Sequence, residues 1–297
     1  MNYKAALRTD RMCKATTGLR VDAFNALVAD FAINYLEFEA KRKKKRQRKL
    51  GAGRGSKIET IDEKLFYILW YMKTYPTFDV ASFYVGFHRS NACEWVHTLL
   101  PVLEQTMQRK FVLPQRKIAD PEEFLRLFPE TAEVFVDGVE RLRQRPKKKK
   151  SATKTYSGKK KQHTRKSVVV TDKKRKILVI TKQKSGRRHD KRLADKESIF
   201  ENIPKEIPVY ADTAFIGEGK VHKNILLPKK RSKNRPLTYD EKEINRIISS
   251  YRVLVEHAIG GMKRYRCISE RLRNRKAYID DTLLLLSGGL WNYHLAS

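Results

Sequence analysis

Three acidic residues stand in contexts that suit chemistry on a bound ligand. Asp137 and Asp212 each close an apolar run, VFVD and VYAD, and each precedes a turn or a small residue. Carboxylates at strand ends lie at the rim of a sheet, where a ligand can reach them and water is partly excluded. Glu256 lies among apolar residues in RVLVEHAIGGMKR. Because an unpaired acid on a packed helix face would be costly, we expect a cation beside it.

These three acids allow two interpretations. Hard cations such as Mg²⁺ bind carboxylate oxygens and keep water and substrate phosphates as their remaining ligands. Two such ions ~3.5–4 Å apart would stabilise the attacking and leaving oxygens of a phosphoryl displacement. The alternative is structural: in a chain this rich in Lys and Arg, the acids could be salt-bridged partners of those cations.

The residues around Glu256 add a pattern of charge. Arg252, Glu256 and Lys263 are four and seven positions apart, so at about 100° per residue they share one face of a helix. One face with an acid and two cations suits a metal ion flanked by phosphates. The alternative is a surface Arg–Glu pair, which would stabilise the helix by only ~0.2–0.5 kcal/mol.

The overall charge indicates a polyanionic partner. The 297 residues include 65 Lys or Arg and 33 Asp or Glu, for a formal charge of +32, and the chain is basic on both sides of residue 118. Forty per cent apolar and ten per cent aromatic residues exclude a wholly disordered basic tail. Nucleic acid is the expected partner, and an anionic membrane surface is the alternative.

Several classes of protein are excluded by simple features. The apolar run Thr282 to Trp291 is about half the ~20 residues of a spanning helix, and the N-terminus has no export signal. The three cysteines are isolated, which argues against disulfides and a Cys-based zinc site. We therefore expect a soluble protein of a reducing compartment.

The N-terminal part predicts helices that could bind DNA. In residues 56–110, one amphipathic helix ends near Thr74, a short helix follows, and Gly86 supplies a turn. A third helix would be capped by Ser90 or Asn91 and ended or kinked by Pro101. This order describes a helix-turn-helix, which would place Arg89, Ser90 and Asn91 near the DNA groove. An ordinary helical bundle is the alternative.

Two segments are dense in positive charge. Residues 41–49 hold eight basic residues in nine, which indicates either a flexible hinge or a DNA-gripping arm. Residues 141–166 hold 13 Lys or Arg and no acid, and include Lys159, Lys160 and Lys161. This second segment is either a phosphate-binding loop or a disordered spacer.

The elements that must position the three acids begin near residue 134. The pattern predicts a strand at 134–136, a hairpin at 167–181, a helix at 189–197 and strands at 207–211 and 224–227. A long helix over 240–273 and a final helix over 280–295 follow. This alternation is typical of an α/β domain with a mixed sheet and helices packed against it.

Six segments in this order resemble a known family: VFVDG, YSGKKKQHTRK, GRRHDKRL, VYADTAF, LLPKKRSK and SSYRVLVEHAIGGMKRYR. They are similar to DDE transposases of the insertion-sequence five family and its relatives among the DDE superfamily endonucleases. The resemblance covers nearly the whole chain. It implies a helical DNA-binding region over 1–118 and a ribonuclease H-like catalytic domain over 119–297. Of the family signature Tyr-x2-Arg-x3-Glu-x6-Lys, the chain keeps Arg252, Glu256 and Lys263, while Ser249 occupies the tyrosine position.

The resemblance also implies a function. The N-terminal helices and the 41–49 arm would bind terminal inverted repeats of double-stranded DNA. Asp137 and Asp212 would hold two Mg²⁺ or Mn²⁺ ions, with Glu256 completing one site. Water would attack a phosphodiester and free a 3′-hydroxyl, which would then attack target DNA. Arg252, Lys263 and the 141–166 segment would hold the strands near the metals.

The same resemblance implies a homodimer or higher synaptic assembly in the cytoplasm of a prokaryotic host, associated with the nucleoid. Asp190 has either a direct metal role or a helix-capping role. Two alternatives to a transposase stay open. One is a catalytically inactive or repurposed sequence-specific DNA-binding protein. The other is a basic RNA- or ribosome-associated protein.

Overall fold

The computed structural model describes residues 2–42, 55, 57–231, 235–274 and 276–296. Within these residues the helices are α1 (Tyr3–Ala6), α2 (Asp10–Thr17), α3 (Val21–Arg42), α4 (Ile61–Thr74), α5 (Phe78–Val85), α6 (Arg89–Arg109), α7 (Pro121–Leu127), α8 (Lys149–Thr155), α9 (Asp190–Lys196), α10 (Tyr239–Lys263), α11 (Arg266–Ser269) and α12 (Ala277–Ala296). The strands are β1 (Val134–Leu142), β2 (Tyr156–Ser157), β3 (Gln162–Asp172), β4 (Ile177–Ile180), β5 (Lys184–Ser185), β6 (Val209–Ala211) and β7 (Ile225–Leu226).

The chain forms two compact units that do not follow a single boundary. The first comprises Met1–Leu113, Lys263–Glu270 and Thr282–Ser297, and the second comprises Pro114–Met262 and Arg271–Asp281. The predicted domain boundary at residue 118 put all later residues in one domain, whereas most of α12 belongs to the first unit. The reason is packing: Leu283, Leu286 and Leu290 of α12 are fully buried. In addition, the Tyr293 hydroxyl donates a hydrogen bond to the Ala23 carbonyl at 2.9 Å.

In the first unit, helices α4, α5 and α6 confirm the three helices predicted over 56–110. Thr60 and Thr77 cap the N-termini of α4 and α5 through their side-chain oxygens. Gly86 ends α5 with a φ of 76°, a left-handed conformation that glycine adopts without steric cost. Helix, turn and helix therefore follow from local sequence signals.

Two details of α6 differ from the prediction. The N-cap is His88, whose Nδ1 accepts a hydrogen bond from the Ser90 amide at 3.3 Å, so neither Ser90 nor Asn91 is the cap. The helix also continues through Pro101 to Arg109. Buried side chains on both sides of the proline, among them Leu99 and Leu103, pack this helix into the unit and hold it continuous.

The second unit is built on a mixed sheet, as predicted. Its strand order is β2-β3-β1-β6-β7, with β4 and β5 also pairing with β3. Strands β1 and β3 are antiparallel, whereas β1, β6 and β7 are parallel neighbours. Strands β3 and β4 form the predicted hairpin.

Alternating side chains give the sheet two different faces. On one face, a buried core unites residues of the strands and of α9: Val134, Val136, Val168, Val170, Val209, Ala211, Leu193 and Ala194. On the other face, Phe135 of β1 and Tyr210 of β6 stack with Tyr251 of α10. Helices α9 and α10 therefore cover opposite faces of the sheet.

Three predictions about segments need correction or fall partly outside the described residues. The 141–166 segment is not one loop or spacer, because it holds the end of β1, helix α8, strand β2 and the start of β3. The helix predicted over 240–273 is two helices, α10 and the short α11. Of the predicted 41–49 arm, Lys41 and Arg42 end α3, and 43–49 lie outside the described residues. Within the described ranges, no helix has the length and apolarity needed to cross a bilayer.

Candidate active site

Strand register brings two of the predicted acids to the same level of the sheet. Val136 of β1 pairs with Ala211 of β6 in parallel register. Asp137 and Asp212 are the residues that directly follow this pair on the two neighbouring segments. Asp212 follows the last residue of β6. Asp137 lies inside β1 and not at its end as predicted, because β1 continues to Leu142 by pairing with β3.

Both aspartates are held by backbone donors. The Gly138 amide donates to Asp137 Oδ1 at 2.7 Å. The Thr213 amide donates to Asp212 Oδ1 at 2.6 Å, and the Thr213 hydroxyl lies 3.2 Å from the same oxygen. Such bonds fix the orientation of a carboxylate while leaving its second oxygen for another partner.

The electrostatic environment of Asp137 is set first by burial and then by neighbouring charges. Burial raises the pKa of Asp137 above its usual value. The negative charges of Asp212 and Glu256 raise that pKa further, whereas the Gly138 amide and the Arg252 guanidinium lower it. Asp137 therefore lies in an environment where additional positive charge would be favourable.

Arg252 supplies the nearest positive charge. Its Nη2 lies 3.6 Å from Asp212 Oδ2 and 3.9 Å from Glu256 Oε1, which are ion-pair distances and not hydrogen bonds. Only 17% of the Arg252 side chain is exposed, and among the described residues its Nε has no hydrogen-bond partner. The predicted cation beside Glu256 is therefore present. The predicted burial of Glu256 is wrong, because 57% of its side chain is exposed.

An aromatic stack joins the two aspartate strands to α10. Tyr251 lies 4.9 Å from Tyr210 and 6.4 Å from Phe135 between ring centroids, in nearly parallel orientation. Phe135, Tyr210 and Tyr251 were not among the predicted site residues. The signal was available, since Phe135 and Tyr210 stand two positions before the two aspartates and so share their face of a strand.

Comparison with known proteins identifies the family to which the chain belongs. The family model for DDE superfamily endonucleases matches residues 136–288, which include all three acids. A curated relative, a probable transposase for insertion sequence element IS702 of Microchaete diplosiphon, is 29% identical over 293 residues, 99% of this chain and 98% of that protein. The chain belongs to the DDE superfamily endonucleases.

This DDE endonuclease therefore has a ribonuclease H-like fold, represented here by the mixed sheet with α9 and α10 on its two faces. No solved structure gives a significant match to the chain. Endonucleases of this family generally depend on divalent metal ions, and DNA is the partner that the family implies.

The residues of this DDE endonuclease fit a hard cation in their chemistry. Asp137, Asp212 and Glu256 offer only carboxylate oxygens, the donors that Mg²⁺ and Mn²⁺ prefer. Burial is the main cause of the raised pKa of Asp137, and the negative charges of Asp212 and Glu256 add to it. Over the described part of the chain, however, no three His, Cys, Asp or Glu residues are grouped closely enough to hold an ion.

Asp190 lies on the other face of the sheet. Its Oδ1 pairs with Lys166 Nζ at 3.1 Å, and its carboxylate approaches Gly138 so closely that a Cβ there would lie 3.0 Å from Asp190 Cγ. Successive residues of a strand point to opposite faces, so the Gly138 side is not the Asp137 side. His189 occupies the N-cap position of α9, so the predicted capping role of Asp190 is wrong.

The side chains predicted to contact DNA are exposed, with one exception. In the first unit, Arg89, Ser90 and Asn91 begin α6 with exposed side chains. In the second, Lys159, Lys160 and Lys161 are exposed in the turn between β2 and β3. Lys263 is exposed as the last residue of α10. The exception is Arg252, which faces Asp212 and Glu256.

Proposed function

We propose that this chain is a transposase that binds the terminal inverted repeats of its insertion sequence and catalyses metal-dependent strand cleavage and strand transfer. One observation carries the proposal. Asp137 and Asp212 stand at the same level of two neighbouring parallel strands, with Glu256 close enough to raise the pKa of Asp137. The similarity to the probable IS702 transposase, which extends over nearly the whole chain, supports the proposal.

Asp137 and Asp212 would hold divalent metal ions, Mg²⁺ or Mn²⁺, and Glu256 would complete one site. Bound ions supply charge that activates an attacking oxygen and stabilises a leaving one. The backbone amides of Gly138 and Thr213 keep the two aspartates oriented before any ion binds. Because the two carboxylates are already oriented, less conformational entropy is lost when a metal ion binds to them.

The reaction consists of two displacements at phosphorus. Water attacks the phosphodiester, the new P–O bond replaces the bond to the 3′-oxygen, and that oxygen leaves as a hydroxyl. In strand transfer, this hydroxyl attacks a target phosphodiester in the same way. The chain's residues position the strands: Lys263 and the turn with Lys159, Lys160 and Lys161 provide cations for phosphates. Arg252 screens the acids until DNA and metal bind.

The first unit would supply recognition of the element ends. Arg89, Ser90 and Asn91 are exposed on the first turn of α6, directly after the Gly86 turn. This is the position from which a recognition helix contacts bases in the major groove. Cutting two ends of one element requires two catalytic sites, so we expect a homodimer or larger assembly on end DNA.

Strand cleavage of labelled DNA carrying the element's ends tests this proposal. Cleavage is measured with Mg²⁺, with Mn²⁺ and with EDTA, for the wild type and for Asp137→Ala, Asp212→Ala and Glu256→Ala. We expect 3′-hydroxyl products that require metal and disappear in all three variants while DNA binding persists. Glu243→Gln is a matched control, because Glu243 lies on the same helix and its ion-pair partner among the described residues is the exposed Arg246. Cutting that survives all three alanine substitutions would refute the metal-site assignment.

One observation favours the alternative, a catalytically inactive or repurposed sequence-specific DNA-binding protein. Arg252 already lies against Asp212 and Glu256, and so reduces their negative charge. Binding to authentic ends without any cutting by the wild type, in either metal, would establish this alternative. Loading with metal during the same assay distinguishes the two functions, because only the transposase responds to the ion.

A further inference from the structure

A second basic feature of the second unit lies away from the three acids. A cavity of about 820 Å³ is lined mainly by positively charged or titratable side chains, namely Lys154, Arg187, Arg188, His189, Arg192 and Lys196. We call it the basic cavity. Its cations come from α8, from the segment that precedes α9, and from α9 itself.

Across the part of the chain that the structure describes, the cations of the basic cavity have no acidic partners. The acid in its lining, Asp195, is engaged by Lys191 at 3.2 Å. Within the described residues, Lys154, Arg187, Arg188, Arg192 and Lys196 form no ion pair, and all are exposed. A concave surface lined by one sign of charge concentrates the electric field and attracts a polyanion.

The lining indicates which part of a nucleic acid would bind. Three arginines present planar forks that match phosphate oxygens in pairs. Among the described lining residues there is no phenylalanine, tyrosine or tryptophan, and the one aromatic ring, the imidazole of His189, is outnumbered by five exposed cations. The chemistry therefore fits the sugar-phosphate backbone and not the bases, which gives binding without sequence preference.

The basic cavity and the acids belong to opposite faces of the sheet. Helix α9, which supplies Arg192 and Lys196, packs its Leu193 and Ala194 onto one face. Helix α10, which supplies Arg252 and Glu256, stacks Tyr251 on the other. A backbone held in the basic cavity thus approaches from a different side than a strand held at Asp137 and Asp212.

We propose that the basic cavity binds the phosphate backbone of a DNA duplex segment other than the one positioned for cleavage, independently of sequence. The inference rests on the proposed function only in taking DNA as the polyanion. It assigns to α9 and its flanks a holding role that is separate from the chemistry.

The test compares two triple variants of the full chain that remove equal charge. The cavity variant is Arg188→Gln, Arg192→Gln and Lys196→Gln. The control is Arg126→Gln, Lys174→Gln and Lys223→Gln, three exposed cations that do not line the cavity. Binding of a random-sequence duplex is measured in EDTA over a series of salt concentrations. Metal-dependent cleavage of a short end duplex is measured in parallel.

We expect the cavity variant to bind the random duplex about 10- to 100-fold more weakly at low salt. The slope of log affinity against log salt should fall by roughly 2–3, about 0.9 for each lost phosphate contact. Cleavage of the short duplex should persist. Equal losses in both triples would overturn the proposal while leaving the proposed function intact.

Two further outcomes separate the proposals. A wild type that neither binds nor cuts DNA would refute the proposed function itself. Tighter binding to phosphatidylserine vesicles than to duplex, lost only in the cavity variant, would assign the cavity to a membrane surface and overturn the DNA proposal. Circular dichroism of both triples verifies that the fold is unchanged.

Discussion

The guanidinium of Arg252 lies 3.6 Å from the carboxylate of Asp212, a residue 40 positions earlier in the chain. The contact joins α10 to the end of β6 across the face of the sheet that carries the acids. Because the Glu256 carboxylate is 3.9 Å from the same Nη2, one cation serves two acids. Arg252 is thus the counter-charge of the acidic cluster before any metal ion binds.

Arg252→Gln should destabilise the metal-free protein by about 1–3 kcal/mol, because it leaves the carboxylates of Asp137 and Asp212, which are partly buried, without their cation. Urea unfolding in EDTA measures this loss, and added Mg²⁺ should restore part of it by binding the folded state. Arg246→Gln is the control on the same helix. Its side chain is 81% exposed and 3.8 Å from Glu243, so we expect a change below ~1 kcal/mol. Equal losses would show that Arg252 does not compensate the cluster.

Asp137→Asn should make the metal-free protein more stable at neutral pH, by less than ~2 kcal/mol. The pKa of Asp137 is raised in the folded state, so the folded protein binds this proton more readily than the unfolded chain. The charged carboxylate therefore costs stability above that pKa. The advantage of the variant should shrink as pH falls through the raised pKa toward the unfolded value of about 3.9.

Thermal unfolding from neutral to acidic pH in EDTA measures this difference. Glu201→Gln, at an exposed acid outside the cluster, should change stability by no more than about 0.5 kcal/mol at neutral pH. An Asp137→Asn advantage that grows as pH falls would have the wrong sign and would contradict the assignment.

Tyr251→Ala should lower the rate of end cleavage by about 10- to 100-fold, because the stack on Tyr210 and Phe135 sets the position of α10 and therefore of Glu256. Tyr251→Phe keeps the stacked ring and should retain most activity. Tyr239→Ala, which removes a 77% exposed ring from the same helix, controls for loss of an aromatic residue. Single-turnover cleavage rates check the prediction, and a Phe variant as slow as the Ala variant would contradict a positioning role.

Asn91→Ala should weaken binding to the terminal repeats by about 1–3 kcal/mol while changing binding to scrambled DNA little, since a base contact carries sequence information. Fluorescence anisotropy with the two duplexes gives both affinities. Arg109→Ala, at the other end of α6 and paired with Glu37 at 2.6 Å, is the control. A uniform loss on both duplexes would place Asn91 on the phosphate backbone.

Much of the fold could be predicted from local patterns of apolar and polar residues in the sequence. The apolar runs before Asp137 and Asp212 predict β1 and β6, and the hairpin of β3 and β4 follows from two β-rich runs with a polar turn. The acids could be selected because each stands next to such a run. Their common level in the sheet is a matter of register between strands far apart in the chain, which a single sequence does not encode locally.

Other features of the fold and the site depend on tertiary packing and could not be predicted from local sequence. Basic composition predicts a loop over 141–166, yet α8 forms there because Ala152 and Thr155 are buried. The position of Glu256 was predicted from its apolar neighbours, but on a helix neighbours in sequence point in different directions. Val255 is buried whereas Glu256 is exposed. The Arg252–Asp212 pair could not be predicted, because its partners lie on separate elements.

The split path of the chain has a consequence during protein synthesis. The unit that contains the exposed first turn of α6 also contains the segment from Thr282 onward, which is translated after the second unit and after the rest of the first. A ribosome must therefore pass Asp137, Asp212 and Glu256 before this unit can complete its core. Any product that stops short of Thr282 lacks Leu283, Leu286 and Leu290 from that core, and should compete poorly with intact protein for the ends of the element.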